Sequence, residues 1–159
     1  MKSGRIIASA AVLLIAAGLI HLAIAPLHWS HSPAHGWFHL LSGSAEILWG
    51  VLFWRKPSPA LFRTGMVMAG SLIVLWLITR VLPAPFTHAP EELDGFGILS
   101  KLSEAMGIAA LVFAIVSNAI SRGPRFSVWR TVGALAGTAM IAGGFVYVMG
   151  VAIEPLFPG

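Results

Sequence analysis

The chain has 159 residues, which would suit one soluble domain, but 57% of them are hydrophobic and only 10% are charged. In ordinary globular chains roughly a quarter of the residues are charged. This composition therefore excludes a protein whose surface is mostly in contact with water and predicts one that is embedded in lipid. The lack of cysteine excludes disulfides, thiolate metal sites and cysteine nucleophiles.

Five apolar stretches are each long enough to cross a bilayer, which requires about 20 mostly apolar residues. In chain order they are residues 6–25, 36–54, 64–82, 98–120 and 131–153. Ser32-Pro33 has the residue types expected at the start of the second helix. Pro26 follows the first stretch directly and is expected to end that helix. We therefore predict an all-α integral membrane protein, a single bundle of about five transmembrane helices over the whole chain.

The basic residues predict the orientation of this bundle. One face receives eight of the ten: Lys2, Arg5, Arg55, Lys56, Arg63, Arg122, Arg125 and Arg130; the other receives only Arg80 and Lys101. Since Lys and Arg favour the cytoplasmic side, the N-terminus is predicted in the cytoplasm and the C-terminus outside, in a plasma membrane. These cations are interpreted as topology signals and lipid contacts rather than as a nucleic-acid surface.

The N-terminal stretch also has features of a signal peptide, because Ala23-Ile24-Ala25 resembles a cleavage site. Pro26 would follow the cut directly, which disfavours cleavage. We interpret the stretch as a retained helix.

Histidines are concentrated at the predicted outer face. Five of the six lie between positions 21 and 39, and the sixth lies in the other outer loop: His21, His28, His31, His35, His39 and His88. His35 and His39 are four residues apart and so share a helix face. His21 and His39 lie at similar depths in an antiparallel hairpin, so we expect the two side chains to meet.

Imidazole is a common ligand of zinc, copper and iron, so this cluster predicts a transition-metal site. Its expected core is His21, His35 and His39, followed by His88 or an acid between Glu91 and Asp94. His28 and His31 are lesser candidate ligands, because they are placed on a proline-flanked loop of less fixed geometry. Two alternatives remain open. His21 and His39 could ligate a b-type haem, or the histidines could lie at the membrane interface, as Trp29 and Trp37 suggest.

Two acids are predicted inside the membrane, where an ionised carboxylate is costly. Glu46 lies on the same helix face as His35 and His39, and is either an ion or proton relay, a metal ligand, or a neutral acid bonded across helices, for example to Ser71. Glu104 is expected to pair with Arg80 or Lys101, or to act as a ligand.

The leading hypothesis is thus a multi-pass membrane protein that binds copper or zinc, or iron, for metal handling or redox chemistry. The alternatives are a haem-binding electron-transfer protein and a non-catalytic subunit of a larger membrane complex or homo-oligomer.

Overall fold

The computed structural model describes residues 2–84 and 89–122, and the described chain is helical with no strand. Four helices follow one another: α1 (Lys2–His31), α2 (Pro33–Arg55), α3 (Pro59–Thr79) and α4 (Gly95–Arg122). The predicted all-α class is confirmed for this part of the chain. The predicted fifth helix, residues 131–153, lies outside the described residues.

Three segments are long and apolar enough to cross a membrane: Arg5–Ser30, Pro59–Thr79 and Gly95–Ser117. These segments support a membrane protein. Helix α2 is also long, with 23 residues, but it carries His35, His39 and Glu46 and is not among these three segments.

Serine–proline pairs begin two of the helices. Ser32 has an extended backbone before Pro33, which confirms the predicted start of α2. The same signal recurs where the Ser58 side chain accepts a hydrogen bond from the backbone N–H of Leu61, with Pro59 at the first helical position. Helix α3 therefore begins before residue 64, the predicted start.

Helix α1 continues through Pro26 to His31, so the expected termination after residue 25 is wrong. A proline within a helix removes one backbone donor and crowds the preceding turn, yet the helix resumes beyond it. The consequence is that His28 lies on a helix rather than on a loop.

Helices α1 and α2 pack closely because two glycines face each other. A Cβ on Gly18 would lie 2.7 Å from the Gly43 carbonyl oxygen, and a Cβ on Gly43 would lie 2.6 Å from the Gly18 carbonyl oxygen. Neither position has room for a side chain. This contact lies one turn from His21 and from His39, and it holds the two helices near enough for those side chains to meet.

An apolar core fills the part of the bundle nearer to the α2–α3 connection. It is formed by Ala10, Ala11, Leu14, Trp49, Phe53, Met66, Ala69 and Leu111. The Trp49 indole donates a hydrogen bond to the Leu61 carbonyl oxygen at 2.7 Å, which ties α2 to α3. Many large apolar side chains point outward, including Leu19, Leu48 and Phe113, as expected of helices that face lipid.

Candidate metal centre

The buried polar side chains gather towards the other end of the bundle, near the α1–α2 turn and the α3–α4 connection. Helix α1 contributes the buried His21 and the half-buried His28, and α2 contributes the buried His35, His39 and Glu46. Helix α4 contributes Ser100, Lys101 and Glu104. Within each helix, most of these residues are three, four or seven positions apart. Residues at these spacings share a helix face, and here that face points into the bundle.

Three histidines form one group, which we call the three-histidine group: His28, His35 and His39. Each offers a ring nitrogen within 4.8 Å of the others. The Nε2 atoms of His35 and His39 lie 3.1 Å apart, and the His28 ring centroid is 4.0 Å from that of His35 and 4.3 Å from that of His39. In a tetrahedral site with metal–nitrogen bonds of about 2.0–2.1 Å, two ligand nitrogens lie ~3.3 Å apart. The histidine rings would therefore need only small movements to bind one ion together.

A second group joins three helices, and we call it the His–Glu–Glu group: His21, Glu46 and Glu104. Its ligand atoms also lie within 4.8 Å of one another. His21 Nε2 is 3.3 Å from Glu104 Oε1 and 3.9 Å from Glu46 Oε2. All three side chains are buried, and both acids have no exposed surface.

The two groups touch through one pair of rings. Nδ1 of His21 lies 2.8 Å from Nδ1 of His39, which is hydrogen-bond distance. The antiparallel hairpin thus brings these residues together as its register predicts. His21 contacts His39 while its other nitrogen faces the two acids.

Glu91 lies at the outer edge of the three-histidine group. Its Oε1 atom is 3.3 Å from His35 Nε2 and its Oε2 atom is 3.5 Å from Arg80 Nη2. Burial raises the pKa of Glu91, and the neighbouring Arg80 guanidinium acts in the opposite direction. Among the acids from Glu91 to Asp94, Glu91 is therefore the one that the structure brings to the histidines.

Lys101 supplies a positive charge beside the His–Glu–Glu group. Its ammonium group forms an ion pair with Glu104 and lies 3.4 Å from His21 Nε2. The Ser100 hydroxyl donates to Glu104 Oε1 at 3.2 Å. Ser100 was not among the residues selected from the sequence, although its position four residues before Glu104 places it on the same helix face.

Two expected partnerships are not formed. Arg80 pairs with Glu91 and Asp94 in the connection after α3, so the expected Arg80–Glu104 pair is wrong. Lys101, the other expected partner, lies one turn from Glu104 on the same helix and forms the ion pair with it. The Ser71 hydroxyl has no hydrogen-bond partner among the described residues, and neither Glu46 oxygen has one. The suggested Glu46–Ser71 bond is therefore also wrong.

The predicted core of His21, His35 and His39 is brought together, but it is divided between the two groups. His28, which the sequence gives only as a lesser candidate because α1 was expected to end at Pro26, joins His35 and His39. His31 is the last residue of α1, and His88 lies outside the described residues.

A cavity of about 60 Å³ adjoins both groups. Its lining includes His21, His28, His35, His39 and Lys101. No protein-family model matches the chain, no curated protein matches it, and no solved structure matches it.

Proposed function

We propose that this protein is a multi-pass membrane protein that binds a transition-metal ion, Cu²⁺ or Zn²⁺, at the three-histidine group. The observation that carries the proposal is the convergence of ring nitrogens from α1 and α2 within 4.8 Å. Imidazole nitrogen suits both ions, and the chain contains no thiol to compete. Glu91 is proposed as a further ligand, or as the acceptor that orients His35.

The geometry favours a small ion over a b-type haem. A metal bound between the Nδ1 atoms of two imidazoles on opposite sides holds those atoms ~4 Å apart on bonds of about 2.0–2.1 Å, whereas Nδ1 of His21 lies 2.8 Å from Nδ1 of His39. The cavity of about 60 Å³ is also smaller than the 300–1,000 Å³ that is typical of cofactor pockets.

The location of the groups suggests a role in handling metal at the membrane surface. The sequence assigns eight of the ten basic residues to the cytoplasmic face. We therefore propose that the α1–α2 turn and Glu91 lie on the extracytoplasmic side of a plasma membrane. The outward apolar side chains would contact lipid or the helices of a second copy or partner subunit. A redox role is proposed only if copper or iron is the bound ion.

Metal analysis of the purified full-length protein in lipid nanodiscs tests this proposal. The protein is stripped with chelator, loaded with Zn²⁺ or Cu²⁺, washed, and analysed for metal per chain. We expect His28→Ala and His35→Ala each to lose one ion per chain, because the remaining ligands cannot complete the coordination shell. His31→Ala is the comparison variant, because the sequence predicts a smaller role for His31, and it should retain the wild-type metal content.

An optical spectrum of the same preparation separates the alternatives. A Soret band would replace the metal-ion proposal by the haem alternative. A colourless protein that takes up neither Zn²⁺ nor Cu²⁺ would contradict both and would favour a structural role in a larger complex.

A further inference from the structure

The His–Glu–Glu group differs in chemistry from the three-histidine group. It combines one imidazole with two carboxylates, and each ligand comes from a different helix: His21 from α1, Glu46 from α2 and Glu104 from α4. The 3.3 Å and 3.9 Å separations from His21 Nε2 to the two carboxylates are close to the ~3.3 Å spacing of ligands around a tetrahedral ion.

Three carboxylate oxygens in this group lack hydrogen-bond partners. Both oxygens of Glu46 and the Oε2 atom of Glu104 accept no hydrogen bond within the described part of the chain. Neither residue has any exposed surface, so water outside the bundle cannot satisfy them. Buried carboxylates are normally paired, hydrogen-bonded or bound to a metal, because an isolated buried charge is strongly unfavourable.

Lys101 compensates only one of the two acids. Its ammonium group pairs with Glu104, and Ser100 donates to the same Glu104 oxygen. Among the described residues, Glu46 has only the 3.9 Å approach of His21 Nε2 and no hydrogen bond. The group therefore has an acceptor in excess, aimed at the same space as His21 Nε2.

We propose that His21, Glu46 and Glu104 form a second divalent-cation site, separate from the three-histidine group. A set of one nitrogen and two carboxylates suits Zn²⁺ or Fe²⁺. The ion satisfies the Glu46 oxygens and the free Glu104 oxygen at the same time. Since His21 touches His39, the two sites together make a centre for two ions, one rich in nitrogen and the other rich in oxygen.

The site is tested by counting Zn²⁺ ions per chain in the full-length protein in nanodiscs. The wild type should bind two ions. Glu46→Gln should bind one, because the amide keeps the size of the side chain but supplies no anionic ligand; Glu46 has no hydrogen bond to lose, so folding should be preserved. The double variant His28→Ala/His35→Ala should also bind one ion, held by the second site alone.

The triple variant His28→Ala/His35→Ala/Glu46→Gln should bind no Zn²⁺ ion. Ser44→Ala, an exposed position on α2, is the control and should leave two ions. A wild type with one ion that Glu46→Gln does not remove would overturn the second site while leaving the three-histidine site intact. Conversely, the second site is supported if the double histidine variant binds one ion and the addition of Glu46→Gln removes that ion. This outcome does not depend on whether the three-histidine group binds an ion in the wild type.

The count in the wild type requires no substitution, so the test stands even if a variant fails to fold. X-ray absorption at the zinc edge gives a second measurement. In the double histidine variant, the single ion should show about one imidazole ligand. Two or three imidazoles there would overturn the assignment.

Discussion

Nδ1 of His21 lies 2.8 Å from Nδ1 of His39. In a neutral pair at this distance, one ring donates its Nδ1 proton and the other accepts it. A neutral imidazole carries one proton, so the donor ring has a free lone pair on Nε2 and the acceptor ring has a proton on Nε2. Only one of the two Nε2 atoms is therefore ready to bind a metal while the contact persists.

This contact predicts that the two proposed ions compete. An ion on Nε2 of one ring favours the tautomer in which the other ring carries an Nε2 proton, so the second Zn²⁺ should bind more weakly than the first. The second ion must displace the Nε2 proton of the acceptor ring, either to the Nδ1 atom of that ring, which breaks the contact with the other ring, or to water. A calorimetric Zn²⁺ titration measures the two affinities. Two equal affinities would contradict the coupling.

Substitution of Gly43 should disturb both groups by separating α1 from α2. A Cβ at this position would lie 2.6 Å from the Gly18 carbonyl oxygen and 3.0 Å from His21 Cβ, so the helices must move apart. We expect Gly43→Ala to cost about 1–3 kcal/mol of stability, as overpacking commonly does, and to weaken Zn²⁺ binding at least ~10-fold, since misplaced ligands lose coordination. Thermal unfolding and a Zn²⁺ titration measure these effects.

Gly70→Ala is the matched control for that substitution. A Cβ at Gly70 has no neighbour within 4 Å, and alanine is preferred to glycine within a helix by about 0.8–1.0 kcal/mol in water. This variant should be as stable as the wild type or more so, with unchanged Zn²⁺ affinity. Equal losses in the two variants would show that the Gly18–Gly43 contact has no special role.

Glu91 should strengthen metal binding at the three-histidine group through its contact with His35. Glu91→Gln removes the anionic oxygen that lies 3.3 Å from His35 Nε2, and loss of such a supporting group typically lowers metal affinity ~10–100-fold. Glu92→Gln is the control, because Glu92 is exposed and contacts Arg80 through its backbone oxygen. A Zn²⁺ titration of both variants measures the difference. Equal affinities in the two variants would remove Glu91 from the site.

The effect of Glu91 should depend on pH with a defined sign. Its contribution requires the anion, so it is present above the pKa of Glu91 and is lost as the pH falls through that pKa. Because burial raises this pKa, the wild type should begin to resemble Glu91→Gln at a higher pH than an ordinary glutamate would allow. Zn²⁺ affinities of both proteins across a pH series provide the measurement. A difference that stays constant down to the ordinary glutamate range, ~4.3, would contradict this interpretation.

The proposed orientation predicts the side on which reporters appear. A reporter inserted at Lys56–Ser58, between α2 and α3, should be cytoplasmic, whereas one inserted at residues 89–90, before Glu91, should be outside. A reporter after Gly159 should also be outside if the chain crosses five times. A cytoplasmic reporter at that end would mean that one of the five predicted spans is wrong.

The sequence alone was sufficient for the helical class and for part of the site. Apolar length and the scarcity of charge indicate helices in lipid because both are local properties of the chain. The four-residue spacing of His35 and His39 fixes their common face for the same reason, and the Ser32-Pro33 signal locates the start of α2. The opposing positions of His21 and His39 also follow from the length of an antiparallel hairpin.

The tertiary structure decided which partners these residues take. Helix α1 passes through Pro26 because helix packing can outweigh the local cost of proline, and this brings His28 to His35 and His39. The choice of Lys101 rather than Arg80 as the partner of Glu104, and the meeting of Glu46 with His21, depend on how α4 and α2 rotate against α1. Such rotations follow from close packing between distant segments, at Gly18 and Gly43 above all, and no local pattern in the chain encodes them.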